Sequence, residues 1–532
     1  MSLIKSILLG SAAGIVAVAS AQAADLPTKK AAPVAQYVKI CNVGGITGWT
    51  LPGSDTCVKL SGYITGQFVA GNLSNQYNWS GALTSAAAVA VNPFATAQAN
   101  QQVLVQGGDR GNLPIYNAVT GKSLGVTLPN QQNAIFNRDA TGWTTRANLA
   151  VDVASNTAYG PLLGHIEIRE ENGNGLDNTG TATGMNEAYL SWAGITAGKA
   201  ASFFSFIGGG DNWANIFSPD RKGWNEPDLI AYTASFGGGF SATISAESTG
   251  ANFNGPGTDL TGAANANSLI TNPGNITFGG QRWPDIVGAL HVTQGWGEAQ
   301  LSGVIHNVNV KDYNYYGDAY AGPLGYTGNY NASENKTGWA IDAGLKINLP
   351  SFGAGDNLVV TGAFSRNATW YSGLPEGMWG DPENGQTNGN GQPMYLADAY
   401  FNATTNQWSV PTAWSVAAQF EHQFTSQFYV DLLGSVGQIS WSNQNNYYWN
   451  GSQNVGTGEI SPKATSWIIG ADLGWVPVTN LNFDLELMYQ STTQTAPSGF
   501  LGTVLSNGAF VPGLWEGNSS GFAGRLRITR YF

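Results

Sequence analysis

Two sets of charged residues stand out by type and placement. Lys59, Arg146, Arg169, Arg525 and Arg527 each lie on the polar side of a segment in which apolar and polar residues alternate. Asp211, Asp220, Glu226 and Asp228 fall in one stretch, 208–228, which opens on Gly208-Gly209-Gly210 and carries Pro219 and Pro227. Cations fixed on strands and acids carried on a facing loop would set up a transverse field across a narrow passage. Such a field orients polar solutes and biases the passage of ions. Arg221 and Lys222 offset part of the loop's charge, and each acid alone reads as a solvated loop residue.

A third pair is Cys41 and Cys57, the only cysteines, 16 positions apart across a Gly-rich stretch. In an oxidising compartment they are expected to form a disulfide. Zinc is the rival, but none of the four histidines lies nearby in sequence. His165, His291 and His306 fall on polar faces of predicted strands and read as lumen or rim residues without chemistry. The sequence holds no G-x-S-x-G elbow, H-E-x-x-H pair, phosphate loop or EF-hand. Neither enzyme activity, a metal nor a cofactor is expected.

The elements that must position these residues are strands. The chain ends Arg525-Leu526-Arg527-Ile528-Thr529-Arg530-Tyr531-Phe532, with Gly524, Leu526, Ile528 and Phe532 on one face and Arg525, Arg527 and Thr529 on the other. A membrane barrel has reason to finish this way, closing its last strand with an aromatic at the interface. The same alternation gives sixteen predicted strands. They are 58–69, 143–153, 162–171, 186–192, 195–203, 229–236, 240–248 and 285–294, then 298–309, 338–348, 357–370, 412–424, 427–440, 465–476, 481–492 and 522–532. Short Gly- or Pro-bearing turns alternate with long polar connections, as tight periplasmic turns alternate with external loops in outer-membrane barrels. Apolar sets such as Trp339/Ile341/Leu345/Ile347, Trp414/Val416/Phe420 and Trp467/Ile469/Leu473/Trp475 read as lipid-facing. Asp342, Lys346, Gln419, Glu421, Asp472, Asp484 and Glu486 alternate with them and read as lumen residues. Carboxylates at this density would be ruinous in a dry core but cost little in water, and sixteen strands leave an aqueous channel. The long segment 71–140 has room for a hairpin near Gln102 to Gln106.

Composition and the start of the chain agree. Charged residues are 11% of the chain, against ~25% in ordinary globular domains. Gly accounts for 71 of the 532 residues, a composition that favours twisted strands over helices. Mean hydropathy is only −0.13, as expected when lipid-facing and water-facing residues average out. Residues 1–23 read as a signal peptide: Lys5, an apolar run from Ile7 to Ala19, and Ala21-Gln22-Ala23. The formal charge of −12, made one unit more negative by loss of Lys5, argues against nucleic-acid binding. The expected organisation is a periplasmic segment, 24–56, holding the disulfide loop, followed by a transmembrane barrel, 57–532.

Specific residues also carry a resemblance. Tyr37-Val38-Lys39-Ile40-Cys41 followed by Gly53-Ser54-Asp55-Thr56-Cys57-Val58-Lys59-Leu60-Ser61-Gly62-Tyr63 resembles the N-terminal signature of alphaproteobacterial general porins. Gly198 to Phe206 and the terminal Arg530-Tyr531-Phe532 are similar to that family too. The resemblance implies a sixteen-stranded, trimeric diffusion channel with its third external loop, here 208–228, folded inward as a constriction. The implied setting is the bacterial outer membrane, with its lipid and lipopolysaccharide as surroundings. Small hydrophilic solutes would be the cargo, and the barrel-assembly machinery would read Phe532. Gly62, Gly66 and Ala417 are expected to permit close subunit packing. A sugar-type porin with Trp213 and Trp224 as a sliding track is the alternative, and an adhesin or enzyme on a barrel scaffold a more distant one. Segment 71–140 departs from the family in its length.

Overall fold

The computed structural model describes residues 39–71, 141–175, 180–206, 226–248, 281–311, 334–374, 411–441, 463–495 and 518–532. Shorter described pieces are 113–116, 123–128, 257–258, 277–278, 398, 400–402, 407–410, 502–504 and 510–512. Sixteen strands form one closed antiparallel ring. They are β1 (Cys57–Gly71), β2 (Thr141–Thr157), β3 (Gly160–Gly175), β4 (Gly180–Trp192), β5 (Ile195–Lys199), β6 (Asp228–Gly237), β7 (Phe240–Glu247) and β8 (Asp285–Gln294). The ring continues with β9 (Gly297–Lys311), β10 (Glu334–Asn348), β11 (Asn357–Arg366), β12 (Pro411–Gln423), β13 (Phe428–Trp441), β14 (Lys463–Val478), β15 (Leu481–Gln494) and β16 (Asn518–Tyr531). Each strand pairs with its neighbours in sequence, and β16 returns to β1.

Alternation along the strands makes two surfaces. Outward positions carry large exposed apolar side chains, among them Ile64, Ile244, Leu301, Ile341, Leu432, Ile469 and Leu487. So continuous an apolar skin would be a liability in water and is the proper surface for lipid. Inward positions carry Thr65, Gln67, Arg146, Asn148, Asp342, Gln419, Asp472, Glu486 and Arg527, all buried within the barrel. Ala417 belongs to this inward set, buried beside Thr361 in register. It therefore lies on the lumen side and offers nothing to subunit packing, whereas Gly62 and Gly66 share the outward face of β1 with Leu60 and Ile64.

The ring closes on a glycine. The Phe532 N–H donates to the Gly62 carbonyl at 3.0 Å, and the Gly62 N–H donates to the Phe532 carbonyl at 3.1 Å. A Cβ on Gly62 would sit 2.2 Å from the Asn148 carbonyl oxygen and 2.9 Å from the Phe532 ring, so any side chain there would break the closure.

Before β1 lies a hairpin, Ile40–Val43 and Ile46–Thr50, whose second strand pairs Trp49 with Val58 and Thr50 with Cys57. Cys41 and Cys57 are joined in a disulfide, as expected. The hairpin crosses to the β2–β3 turn, where Gly44 meets Pro161 and Leu163. Val43, Cys57, Ala154 and Leu163 form a small apolar cluster there. Two expected strands run shorter than their apolar patterns. β5 stops at Lys199, and β11 stops at Arg366 before a 3-10 turn, Thr369–Ser372. Segment 71–140 contributes a separate hairpin, Leu113–Tyr116 with Ser123–Leu128; Gln102 to Gln106 lie outside the described residues, as does the signal segment 1–23.

Candidate pore constriction

The five cations expected to form a wall do fall on contiguous strands, β16, β1, β2 and β3. A two-residue turn after Thr157 fixes the β2–β3 register, so residues equidistant from it face each other across the hairpin. Arg146 thereby meets Glu171, its Nε 2.6 Å from Oε2 and its Nη2 2.5 Å from the same atom. Two inward rungs toward the periplasm, Glu167 Oε1 accepts from Asn148 at 2.7 Å, Asn186 at 2.8 Å and Arg169 at 3.5 Å. Nearer the periplasm again, Asp152 bonds His165 at 2.7 Å, with Lys59 at 4.0 Å and Glu187 on the far ring nitrogen at 3.7 Å. Arg527 donates through Nε and Nη2 to Gln67 Oε1 at 3.1 and 2.7 Å. Arg525 reaches Glu486 at 4.0 Å.

A β-bulge displaces the register between Glu167 and Ile168, opposite Asn186. The bulge frees backbone carbonyls, and Lys199 Nζ donates to those of Met185 and Asn186 at 2.9 and 2.7 Å. Glu226 sits 3.7 Å from the same ammonium and 3.5 Å from Asn186 Nδ2. Burial pushes the Glu226 carboxyl up to about 7; Glu187 adds to the rise, while a backbone N–H, Lys199 and Arg169 oppose it. Of the other loop acids, Asp211 and Asp220 lie outside the described residues, as do Arg221, Lys222, Trp213 and Trp224. Asp228 opens β6 on the exposed parity of Ile230 and Tyr232, so it stands on the outer face and not in the lumen.

The segment that follows β5 leaves the wall at once. Glu247 of β7 receives Ser202 Oγ at 2.6 Å and the Phe203 N–H at 3.1 Å. Gln300 of β9 donates to the Phe203, Phe204 and Ser205 carbonyls at 3.4, 3.2 and 3.1 Å, and Ser302 donates to the Phe204 carbonyl at 2.6 Å. Phe206 covers Gly344 of β10, where a Cβ would come within 2.2 Å of its ring. All these wall residues point inward, so residues 202–206 lie on the inner face of β7–β10. In a ring of sixteen, β9 is eight strands from β1, placing this segment across the lumen from the cationic wall.

A second segment joins it. Past β11, Tyr371 packs edge-on against Phe204 with centroids 4.8 Å apart, and its hydroxyl donates to Asp285 at 2.5 Å. Asp398 accepts from the Thr369 N–H at 2.5 Å and its hydroxyl at 2.8 Å, and His306 is held between Asp285 and Asp398 at 2.7 and 3.3 Å. Phe204 and Tyr371 are fully buried, so neither offers an open aromatic face to a sugar. Sequence reasoning missed this strap. Its signal in the sequence is the aromatic density just after β5 and at the end of β11, which by pattern alone reads as more strand.

The acidic lumen residues also align. Glu421, Asp431, Asp472 and Glu486 are register partners across β12–β15, a row of four carboxylates that ends at Arg525. Among the described residues, neither carboxylate oxygen of the buried Asp472 has a hydrogen-bond partner. Among the described residues no three His, Cys, Asp or Glu side chains group as a metal cage.

A family model described as a porin subfamily matches residues 25–103 and 116–509. Porin Omp2b of Brucella suis biovar 1 is 27% identical over 315 residues, which cover 57% of this chain and 65% of that protein. Omp2b of Brucella canis is 28% identical with the same coverage. The matched region therefore spans just under two thirds of the length of these relatives. Among solved structures, the outer membrane channel DcaP of Acinetobacter baumannii superposes with a TM-score of 0.50 at 13% identity, over 91% of this chain and 99% of that one, a likeness of fold.

Proposed function

Because the chain belongs to the porin family, whose subfamily model it matches along most of its length, we propose that it is a passive diffusion channel for ions and small hydrophilic solutes. It is an outer-membrane β-barrel, and the reading involves no covalent chemistry. One observation carries it: a closed sixteen-stranded ring that is apolar outside and densely charged inside has an aqueous interior by construction.

The constriction of this reading is the third external loop, 208–228, folded into the lumen. Its support is the anchoring of residues 202–206 on the wall facing Arg146 and Arg527, and the return of the chain at Glu226 beside Lys199 and Arg169. In this reading Asp211 and Asp220 oppose Lys59, Arg146, Arg169, Arg525 and Arg527 across the opening, while Glu226 returns to the wall beside Lys199 and Arg169 and Asp228 stands outside it. We read the assembly as a homotrimer, with the small outward residues Gly62 and Gly66 of β1 at the contact. Purified protein in a planar bilayer should show ohmic conductance closing in three equal steps. Single unlinked steps would remove the trimer, and absence of any ion conductance would remove the channel.

A further inference from the structure

The inner wall of β8–β10 carries an apolar rung where an aqueous lumen favours polar residues. Val287, Val304 and Ala340 are register partners, all inward and buried. They form one cluster with Phe204 of the third loop and with Ala368 and Tyr371 of the strap after β11. Two loops therefore share one dry patch of wall. The strap's route is built into the chain. Asn367 turns it with a left-handed φ of 58° and donates its N–H to the Pro411 carbonyl at 3.0 Å. The chain then crosses β10 at Gly338, where a Cβ would lie 2.0 Å from the Asn367 carbonyl oxygen. Tyr371 reaches Asp285 of β8 and stands edge-on to His306 of β9, with centroids 5.5 Å apart. Ser415 of β12 ties the far end, donating to the Ser372 carbonyl at 2.6 Å. Thr369, Tyr371, Ser372 and Leu374 are fully buried, as are His306 and both carboxylates bonded to it.

We propose that residues 369–374 are a second constriction element, which sets the size limit of the pore by holding the root of the third loop against the β8–β10 wall. Tyr371 and Asp398 are its positioning residues. The inference rests on the channel reading and adds a second, specificity-determining loop to it. Along β9 the third loop is held at Gln300 and Ser302 and the strap at His306, four residues nearer the outside, roughly 14 Å at most. The strap thus closes over the loop's root from the external side. A buried, hydrogen-bonded ionic network resists opening, because removing one partner strands the others without water. A lumen is only as selective as its narrowest section is fixed. Loss of the Tyr371 ring and of the Asp398 charge frees Phe204, and with it the start of the third loop, to leave the wall.

The test has two readouts, amide hydrogen exchange of the purified protein and swelling of liposomes that contain it. In the native protein the Phe203 and Thr369 amides, bonded to Glu247 and Asp398, should open as one unit and exchange at rates within about tenfold of each other. In Y371L/D398N, exchange over residues 202–206 should quicken about tenfold. The rate of raffinose entry relative to arabinose should rise about threefold, as a loosened boundary admits the larger sugar. Y371F, which keeps the ring on Phe204, should stay near the native ratio. Widely different native rates for the two amides would overturn the proposal without any variant. So would native exchange over 202–206 in Y371L/D398N, or a raffinose ratio at or below the native one. Arabinose entry through the native protein is the internal check: its absence would fail the channel reading, whereas an unmoved ratio fails this inference alone.

Discussion

Two stretches of the inner wall carry similar numbers of charges and treat them differently. On β16–β3 the cations are answered: Arg146 by Glu171, Arg169 by Glu167, Arg527 by Gln67. On β12–β15 four carboxylates stand in one row that ends at Arg525, and among the described residues Asp472 accepts no hydrogen bond. Like charges directly opposite one another on neighbouring strands are unfavourable, so the row weakens the sheet that holds it. Counting residues would predict a balanced field. The row concentrates negative charge on one side of the lumen, so the barrel should prefer cations.

The strongest way to break that comparison is to remove the row. A unit charge ~8 Å from an ion contributes about 0.5 kcal/mol in a water-like dielectric, so three together approach a tenfold change in relative permeability before salt screening. Asp431→Asn/Asp472→Asn/Glu486→Gln, recorded in alkaline buffer under a salt gradient, should abolish cation preference. An unmoved reversal potential would mean the row does not face the permeation path. A smaller effect, about twofold in the opposite sense by the same estimate, is expected for Arg146→Gln, which strips the partner from Glu171. Should this variant instead favour anions, Glu171 is not the charge that Arg146 offsets.

The finest test uses pH. With its carboxyl raised to about 7, Glu226 is charged above that value and neutral below it. Lowering pH from 8 to 6 removes one negative charge beside Lys199, and cation preference should fall by about twofold on the same Coulomb scale. Glu226→Gln should start from the lower preference and show a smaller pH response. An identical response in native protein and variant would place Glu226 away from the ions' route.

How much of this was legible depended on whether one strand or several had to be read. Strand number, the facing of Lys59, Arg146, Asp472 and Arg527, and the Cys41–Cys57 bridge all follow from local alternation and spacing, and the structure agrees with each. The Arg146–Glu171 pair was also within reach, because a two-residue turn fixes its register. The acid row was not, since β12 to β15 are partly joined by long loops whose lengths say nothing about register. The overshoot of β5 and β11 has a different cause. Phe204 and Tyr371 are apolar and deeply buried, as strand residues might be, but they are buried against the inner wall. Ala417, expected at a subunit contact, faces the lumen, and Asp228, expected on the loop, opens β6 on the outer face; small and strand-end residues carry little alternation signal.

The N-terminal hairpin has one more consequence. Val58 and Cys57 are bonded to β2 on one edge, so Trp49 and Thr50 must occupy the other, the edge that β16 uses from Gly62 onward. The disulfide fixes the hairpin there through two cysteines that lie close in sequence, so it can form before the last strand arrives. When β16 zips along β1, Phe532 comes to rest on Gly62, and only residues 59–61 separate that point from the hairpin's pairing with Val58. The hairpin is a doorstop for the seam: it sets how far the final strand can slide, and with it the stagger of the whole ring.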